Sequence, residues 1–464
     1  MSENVLEAVV ANDLCVGCGM CAGMLPGSLR MHTNKYGAYV PELIEQVDQG
    51  WEQVSLQVCP FANNDENEDS IGKKLFNFQE GVQHCSETGY YLKCFTGHVL
   101  NEEVRLSATS GGIITWLAEE LLSSGKVDAV ACVGKCDEGE NLFEYKFITD
   151  AAEISECRKS RYYPVEFSGT IRKIKEVEGK VLFIGLPCFI KAMRLAMKQD
   201  PVLADRVAYT IGLFCGHLKS KHYAAYLARS SGVHEKDIQT VDFRKKIKDK
   251  PANKYAFEVV TRNEGPDNHR QIMMQDVWAS SWSNNLFMLD ACEYCDDIMA
   301  ETADISVGDA WLAEFIKDYR GTSITICRNT DLLHVLATGV DKGDISLQEI
   351  EVEEVIKSQA GGIRQRRTGL QYRLYLSARK GLWRPGKRVT TDGKAGTFFF
   401  RLLQLLRIKT KTLSRQAFLK QQPIDGLDIF VRLLRPWILT SKIVNIARHV
   451  PGIIRRSLLK YPNH

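Results

Sequence analysis

Four cysteines constrain this chain more than any other feature. Cys15, Cys18 and Cys21 stand in the run Cys15-Val16-Gly17-Cys18-Gly19-Met20-Cys21, and Cys59 is followed by Pro60. In bacterial ferredoxins C-x-x-C-x-x-C continues as x-x-x-C-P, and that last Cys ligates the other cluster of a two-cluster domain. Here the continuing position is Leu25, with Pro26 retained behind it. Counting back from Cys59 at the same spacing reaches Gln49, Glu52 and Ser55. The absent ligands are all those of one cluster, and the retained ligands are all those of the other. Random loss would not sort that way. The pattern predicts one 4Fe-4S cluster on Cys15, Cys18, Cys21 and Cys59, within a ferredoxin-like unit over residues 1–62. Zinc sites rarely use this spacing.

The remaining chain is long enough for a sizeable core. Of its 464 residues, 44% are apolar and 25% charged, the balance of a globular protein. The N-terminus shows no basic region ahead of an apolar stretch, and no apolar run approaches the ~18 residues of a spanning helix. Fourteen cysteines without an export signal argue for clusters and thiols in a reducing, cytoplasmic setting. Charge is unevenly spread. Residues 361–464 hold 23 Lys and Arg against 3 Asp and Glu, a net +20, so a chain of net +3 carries −17 on the rest. An acidic body with a basic tail points to a partner with an acidic surface. No nucleic acid is expected.

The polar stretch Asn63–Asp69 reads as a linker, extending over 63–84. From residue 85 to 375, strand and helix signals alternate. A helix is expected over Ile113–Ser123, and strands over Lys126–Val133, Val181–Gly185 and Val207–Phe214. Helices are expected from Pro187 to Lys198 and over His222–Arg229. Tyr255–Thr261 and Gln271–Val277 read as an antiparallel pair. Residues 395–464 are helical and basic, with Pro423, Pro436 and Pro451 dividing them into short helices. This tail reads as a helical cap with its charges outward, as a segment lying on anionic lipid, or as a contact for a protein partner.

A second cysteine set lies in the body. Cys188 opens a helix after Gly185-Leu186-Pro187, Cys215 does the same after its strand, and Cys292 and Cys295 form C-x-x-C. Loops at the C-terminal ends of neighbouring strands converge on one crevice. A 4Fe-4S cluster, zinc or a redox-active C-x-x-C would each fit these residues. Cys85, Cys94, Cys132, Cys136, Cys157 and Cys327 read as packing residues, with Cys94 or Cys85 a candidate further ligand.

Ser107-Ala108-Thr109-Ser110-Gly111-Gly112 leads directly into a helix. It reads either as a phosphate loop, with free N–H groups at a helix start, or as an ordinary Ser/Thr cap. Lys159-Ser160-Arg161-Tyr162 offers cations and an aromatic face to a nucleotide, or is a solvated basic turn. Asp309 ends a strand where a carboxylate could accept hydrogen bonds from a ribose or ribityl chain. His217 and His222 read first as structural histidines and second as candidate acid–base groups.

Together these stretches resemble the coenzyme F(420) (deazaflavin) hydrogenase/dehydrogenase beta-subunit family. Relatives of that family include 7-hydroxymethyl chlorophyll a reductase and bacterial members from polysaccharide loci. The matching residues run in family order: Cys15–Cys21, Ser107–Gly112, Lys159–Tyr162, Gly185–Cys188, Phe214-Cys215-Gly216-His217, and Cys292-x-x-Cys295 leading to Ala303–Trp311. The resemblance covers roughly residues 10–375. It implies FAD, with its diphosphate near Ser107, Thr109, Ser110, Gly111 and Gly112. Lys159, Ser160 and Tyr162 would line the flavin site, with Asp309 nearby. It also implies a second 4Fe-4S cluster on Cys188, Cys215, Cys292 and Cys295. The loss of one ferredoxin cluster and the tail after residue 394 depart from the family pattern.

The expected fold class is therefore α+β: the ferredoxin-like unit (1–62), the linker (63–84), a mixed α/β body binding FAD and iron–sulfur (85–375), and the basic helical extension (395–464). The implied function is an iron–sulfur flavoprotein oxidoreductase. It would pass electrons between a ferredoxin-like or deazaflavin donor, the clusters and FAD to reduce a small-molecule substrate. The alternative is an electron-transfer subunit of a larger complex with no substrate of its own. A peripheral position at the inner face of the membrane would follow if the tail lies on lipid.

Overall fold

The computed structural model describes residues 3–45, 47–137, 139, 141–262, 268–421 and 427–449. Its centre is an eight-stranded mixed sheet. The strand order is Ile345–Ile350, Lys93–Val99, Ser323–Cys327, Ile305–Asp309, Val207–Leu213, Val181–Gly185, Ala129–Lys135, Phe143–Ile148. The four strands starting at Ala129, Val181, Val207 and Ile305 run parallel, and the outer strands join them antiparallel. Parallel strands are covered on both faces, so they read as unbroken apolar runs, and all five residues of Val181–Gly185 are buried. The helix Ile113–Ser123 forms with those ends, and the next two follow as Pro187–Gln199 and His222–Ser230. A separate three-stranded antiparallel sheet holds Ile238–Lys245, Ala256–Thr261 and His269–Met273. Its last strand ends at Met273, four residues short of expectation, because Ala256 opposite Met273 is the last rung of the ladder.

The N-terminal residues form a short helix, Met20–Met24, a hairpin of Leu29–Thr33 with Tyr39–Leu43, and a helix Trp51–Gln57. Leu25 and Ser55, two of the positions lacking a ligand, are buried. The Ser55 hydroxyl accepts the Val5 N–H at 3.3 Å and donates to the Glu52 carbonyl at 2.7 Å. Side-chain packing fills the place of the lost ligands.

This unit is not tethered by a solvated linker. One apolar cluster runs from Val5, Val58 and Phe61 through Phe167, Phe183 and Phe189 to Phe418 and Phe430. Within the expected linker, Asn67 and Ser70 form a reciprocal capping box that starts a helix, Glu68–Phe76. Glu66 and Glu68 are buried. Glu68 pairs with Lys191 at 3.1 Å, and Glu66 with Lys198 at 2.8 Å and with Lys74. Local acidity reads as solvation, but the body supplies the matching cations.

The Glu66 network carries a pH signature. Burial by itself would raise this carboxyl, but hydrogen bonds from Lys198, Lys74 and Ser70 outweigh it and hold Glu66 at about 2. A depressed carboxyl stabilises fully above its unfolded value near 4.5 and loses that contribution as pH falls toward 2. The expected loss is on the order of 2 kcal/mol, after allowance for two exposed lysines. Urea midpoints between pH 5 and 2 should fall more steeply for the wild type than for Glu66→Gln; parallel curves would refute this.

The tail packs as part of the core. Phe398–Lys420 and Asp428–His449 form two long helices that pack on each other. Phe400, Leu403, Phe418, Phe430 and Leu434 are buried. Two corrections follow. Pro436 lies inside Asp428–His449 and does not divide it, while Pro423 and Pro451 fall outside the described residues. The charges are not all outward, since buried Lys411 and Arg415 both pair with Asp290.

Candidate functional site: two thiol sets and a cavity

At the N-terminal loop, Cys18 and Cys21 are buried, and Cys15 and Cys59 half-buried. The loop winds tightly because Gly17 and Gly19 take φ values of +69° and +84°. A Cβ on Gly17 would lie 2.8 Å from the Tyr39 carbonyl oxygen. Gly17 N–H donates to Cys15 Sγ at 3.3 Å. Backbone N–H groups of Met20, Ala22, Phe61 and Ala62 serve Cys18, Cys21 and Cys59. Burial pushes all four thiols up, Cys15 to about 12. For Cys21 the fields of Cys18, Cys15 and Cys59 add to burial, so the four sulfurs share one neighbourhood.

The body cysteines form a second neighbourhood. Cys188 lies in the first turn of Pro187–Gln199. Its thiol is raised by burial, then by Cys215, Cys295 and Cys292, and last by Cys18 of the first set. Cys215 does not open a helix; it sits in an irregular segment after its strand, its N–H donating to the Ile298 carbonyl at 2.9 Å. Cys292 lies in the 3-10 turn Asp290–Tyr294 and accepts the Leu218 N–H at 3.2 Å. Burial raises Cys292 to about 11, with the Arg366 guanidinium opposing. Among the described residues, no group of three or more His, Cys, Asp or Glu closes to a single-ion site. Zinc would draw its sulfurs to about 2.3 Å of one point, whereas an iron–sulfur cluster seats thiolates around a wider core.

Next to the second set is a cavity of about 260 Å³, lined by Thr109, Ser110, Gly112, Lys159, Ser160, Tyr162 and Asp309, and also by Cys215. The helix Ile113–Ser123 starts here at Gly112, φ +87°, with no side chain capping it. Its first-turn N–H groups therefore lack capping partners at the cavity wall. The neighbouring hydroxyls are engaged elsewhere. Thr109 Oγ1 accepts the Ser160 N–H at 2.7 Å, Ser110 Oγ donates to the Thr322 carbonyl at 2.7 Å, and Ser107 Oγ accepts from Arg158 at 2.9 Å. Ser107 and Gly111 do not line the cavity. Gly111 is a packing glycine, because a Cβ there would lie 2.7 Å from Ser323 N. Asp309 is held by Arg244 through two bonds of 2.7 and 3.1 Å, leaving little of its carboxylate free.

The cavity has an aromatic wall. Tyr162 and Trp282 have ring centroids 4.8 Å apart, and His217 stacks on Trp282 at 4.3 Å. Burial holds His217 neutral, well below the usual range. Lys219 also lines the wall, its Nζ 4.5 Å from the Trp282 ring, and burial brings it down to about 7. His222 packs away from the cavity against Phe418, with a pKa lowered by burial to about 4.

Sequence reasoning missed several of these groups. Trp282 and Lys219 carry no pattern that marks them. Arg366 sits in a basic run, yet it is buried and donates to the carbonyls of Cys292 and Gly216. The side chains of Lys387 and Arg388 are covered against Asp296 and Glu301 behind the C-x-x-C turn. Cys132 and Cys157, read as packing, line the cavity. Cys94 lies near both Cys327 and Cys85, and neither Cys94 nor Cys85 joins a thiol set.

Comparison with known proteins fits this layout. Residues 94–172 match the family model described as coenzyme F(420) hydrogenase/dehydrogenase, beta subunit N-term, and residues 178–353 match the model of its C terminus. The chain belongs to the coenzyme F(420) hydrogenase/dehydrogenase beta-subunit family. It is 22% identical over 345 residues to the coenzyme F(420)-dependent sulfite reductase of Methanocaldococcus jannaschii, covering 70% of this chain and 47% of that protein. The chain thus spans about half the length of that relative. An uncharacterised protein of the same organism is 23% identical over 259 residues, 55% of this chain and 87% of its own length. A chain in the F(420)-reducing NiFe hydrogenase complex of Methanosarcina barkeri aligns over 67% of this chain and 98% of its own, with a TM-score of 0.49 and 18% identity. Membership of this family makes an oxidoreductase-type role in electron transfer the coarse function. No described helix is long and apolar enough to cross a membrane.

Proposed function

We propose that the chain is an FAD-dependent iron–sulfur oxidoreductase that takes electrons from a ferredoxin-like or deazaflavin donor and reduces a small-molecule substrate. Cys15, Cys18, Cys21 and Cys59 would hold one 4Fe-4S cluster, and Cys188, Cys215, Cys292 and Cys295 a second. One observation carries the reading. The helix Met20–Met24, which carries Cys21, packs on Pro187–Gln199, which carries Cys188, and Cys215 lines the cavity, so the two thiol sets and the cavity are contiguous.

Clusters supply single-electron transfer and a flavin pairs those electrons; the protein's own groups do the rest. Backbone N–H groups favour thiolate over thiol at both sets. Lys191 and Lys387 beside Cys59, and Arg366 beside Cys292 and Cys295, offset the negative charge that ligated thiolates bring. The uncapped helix start at Gly112 suits a diphosphate. Tyr162, Trp282 and His217 offer faces to a planar ring and exclude water from it.

The test is a charge placed at that helix start. Ile114 lines the cavity in the first turn. Ile114→Asp keeps the helix, since a first-turn acid favours it, but repels a phosphate. FAD binding, read by flavin fluorescence quenching, should weaken by about tenfold or more, ~1.4 kcal/mol. Unchanged affinity would remove the diphosphate from this helix.

One observation favours a docking role for the tail, on anionic lipid or on a larger assembly. The helix Asp428–His449 buries Phe430, Leu434 and Ile438 yet exposes Leu439, Ile443 and Ile446 on its other side, beside Arg435 and Lys442. If this face lies on anionic lipid, full-length protein should pellet with anionic vesicles at low salt and Ile443→Asp should not. Equal pelleting of both would exclude the lipid contact. Substrate-dependent reoxidation of the flavin would favour the enzyme over the subunit.

A further inference from the structure

Two cysteines outside both thiol sets face the cavity together. Cys132 lies on the strand Ala129–Lys135 and is buried; Cys157 closes the 3-10 helix Ala151–Cys157 and is half-exposed. Both line the cavity, and the two thiols lie close enough to act on one another. The strand makes room for this. Cys132 and Gly134 are two apart and share one face. A Cβ on Gly134 would lie 3.0 Å from Cys157 Sγ, so the absence of a side chain there lets the sulfur sit over the strand beside Cys132.

The surroundings separate the two sulfurs by role. Arg161 and Lys146 place positive charge near Cys157. Arg161 Nε is buried without a hydrogen-bond partner among the described residues, and its guanidinium lies over the Phe143 ring at 4.7 Å. Cys132 and these two cations draw Cys157 below the usual thiol value, against burial and Glu156, while Cys132 has no charged side chain among the described residues acting on it and is buried. A half-exposed thiol beside two cations and backed by a buried thiol is the arrangement of a nucleophile with its resolving partner.

We infer that Cys157 and Cys132 form a dithiol site that reduces small disulfides at the cavity wall. Cys157 Sγ attacks one sulfur of the disulfide; a bond forms between them, the disulfide breaks, and the first thiol leaves. Cys132 Sγ then attacks Cys157 Sγ, releases the second thiol and closes the Cys132–Cys157 bond. Two electrons pass from the protein to the substrate, and the two protein thiol protons end on the two released thiols. A dithiol reductant then restores the two protein thiols and is itself oxidised to a disulfide. The inference requires no occupant of the cavity and goes beyond the function proposed above.

The test uses full-length protein purified anaerobically, with glutathione disulfide as probe and peptide mapping as readout. Treated wild-type protein should yield a peptide linked between Cys132 and Cys157, absent after dithiothreitol. Cys132→Ser should stop at a glutathione adduct on Cys157, and Cys157→Ser should form neither product. Brief alkylation of untreated protein should modify Cys157 at least about tenfold faster than Cys85, which is also half-exposed but sits against Glu87. The wild-type crosslink and the alkylation ratio need no variant to fold. Absence of the crosslink, or alkylation of Cys157 no faster than Cys85, overturns the site.

Discussion

Anaerobically purified protein should carry about eight iron and eight sulfide per chain, and Cys292→Ser should lower both to about four. Serine matches the size of cysteine but does not supply a thiolate, so the second set would lose a ligand without losing its packing. Cys18→Ser should remove the other four. Neither variant is expected to leave its neighbourhood untouched. The Cys18 carbonyl accepts the Phe167 N–H at 2.9 Å, within the core shared by the N-terminal unit and the body. Cys292 accepts from Leu218, which also lines the cavity. Flavin retention should therefore fall more in Cys292→Ser than in Cys18→Ser. Iron unchanged in Cys292→Ser would leave the body cysteines without a cluster, and zinc in place of iron would overturn the reading of whichever set holds it.

Phe430→Ala should destabilise the protein by about 3–5 kcal/mol. The ring is fully buried. It stacks on Phe287 with centroids 5.5 Å apart and planes within 3°, and meets Tyr226 and Phe418 at 5.2 and 6.1 Å. Removing it opens a cavity between the tail and the body. The denaturant midpoint should fall with little change in slope. A chain ending near residue 393 would lose Phe400, Phe418 and Phe430 together and should not accumulate folded. A change below 1 kcal/mol for Phe430→Ala would make the tail an appendage.

What was legible in the sequence was whatever local spacing encodes. The helix Ile113–Ser123 and the strand Val181–Gly185 follow from apolar periodicity bounded by glycine and serine. The N-terminal cysteine run follows from its own register. What was not legible depends on partners far along the chain. Asn63–Asp69 looks solvated until Lys191 and Lys198 are opposite it. Asp309 looks free until Arg244 reaches it across 65 residues. Gly111 and Gly112 are indistinguishable as letters, yet one faces the sheet and the other the cavity. Cys132 and Cys157 become a pair only because a strand and the turn after its neighbour fold over Gly134. Pro436 breaks no helix because the surrounding apolar residues are fixed by tertiary packing, which outweighs one missing N–H.

The loop that carries Cys292 and Cys295 has a consequence for the order of biosynthesis. Asp290, Glu293, Asp296 and Asp297 crowd that loop with negative charge. The cations that answer it come later in the chain: Arg373 on Glu293, Lys387 and Arg388 on Asp296, Lys411 and Arg415 on Asp290. A nascent chain leaving the ribosome exposes the loop well before those residues follow. Until then, four carboxylates repel one another and stand unneutralised beside two thiols. The loop can therefore settle into its native place only after residues 373–415 have been synthesised and have packed against it.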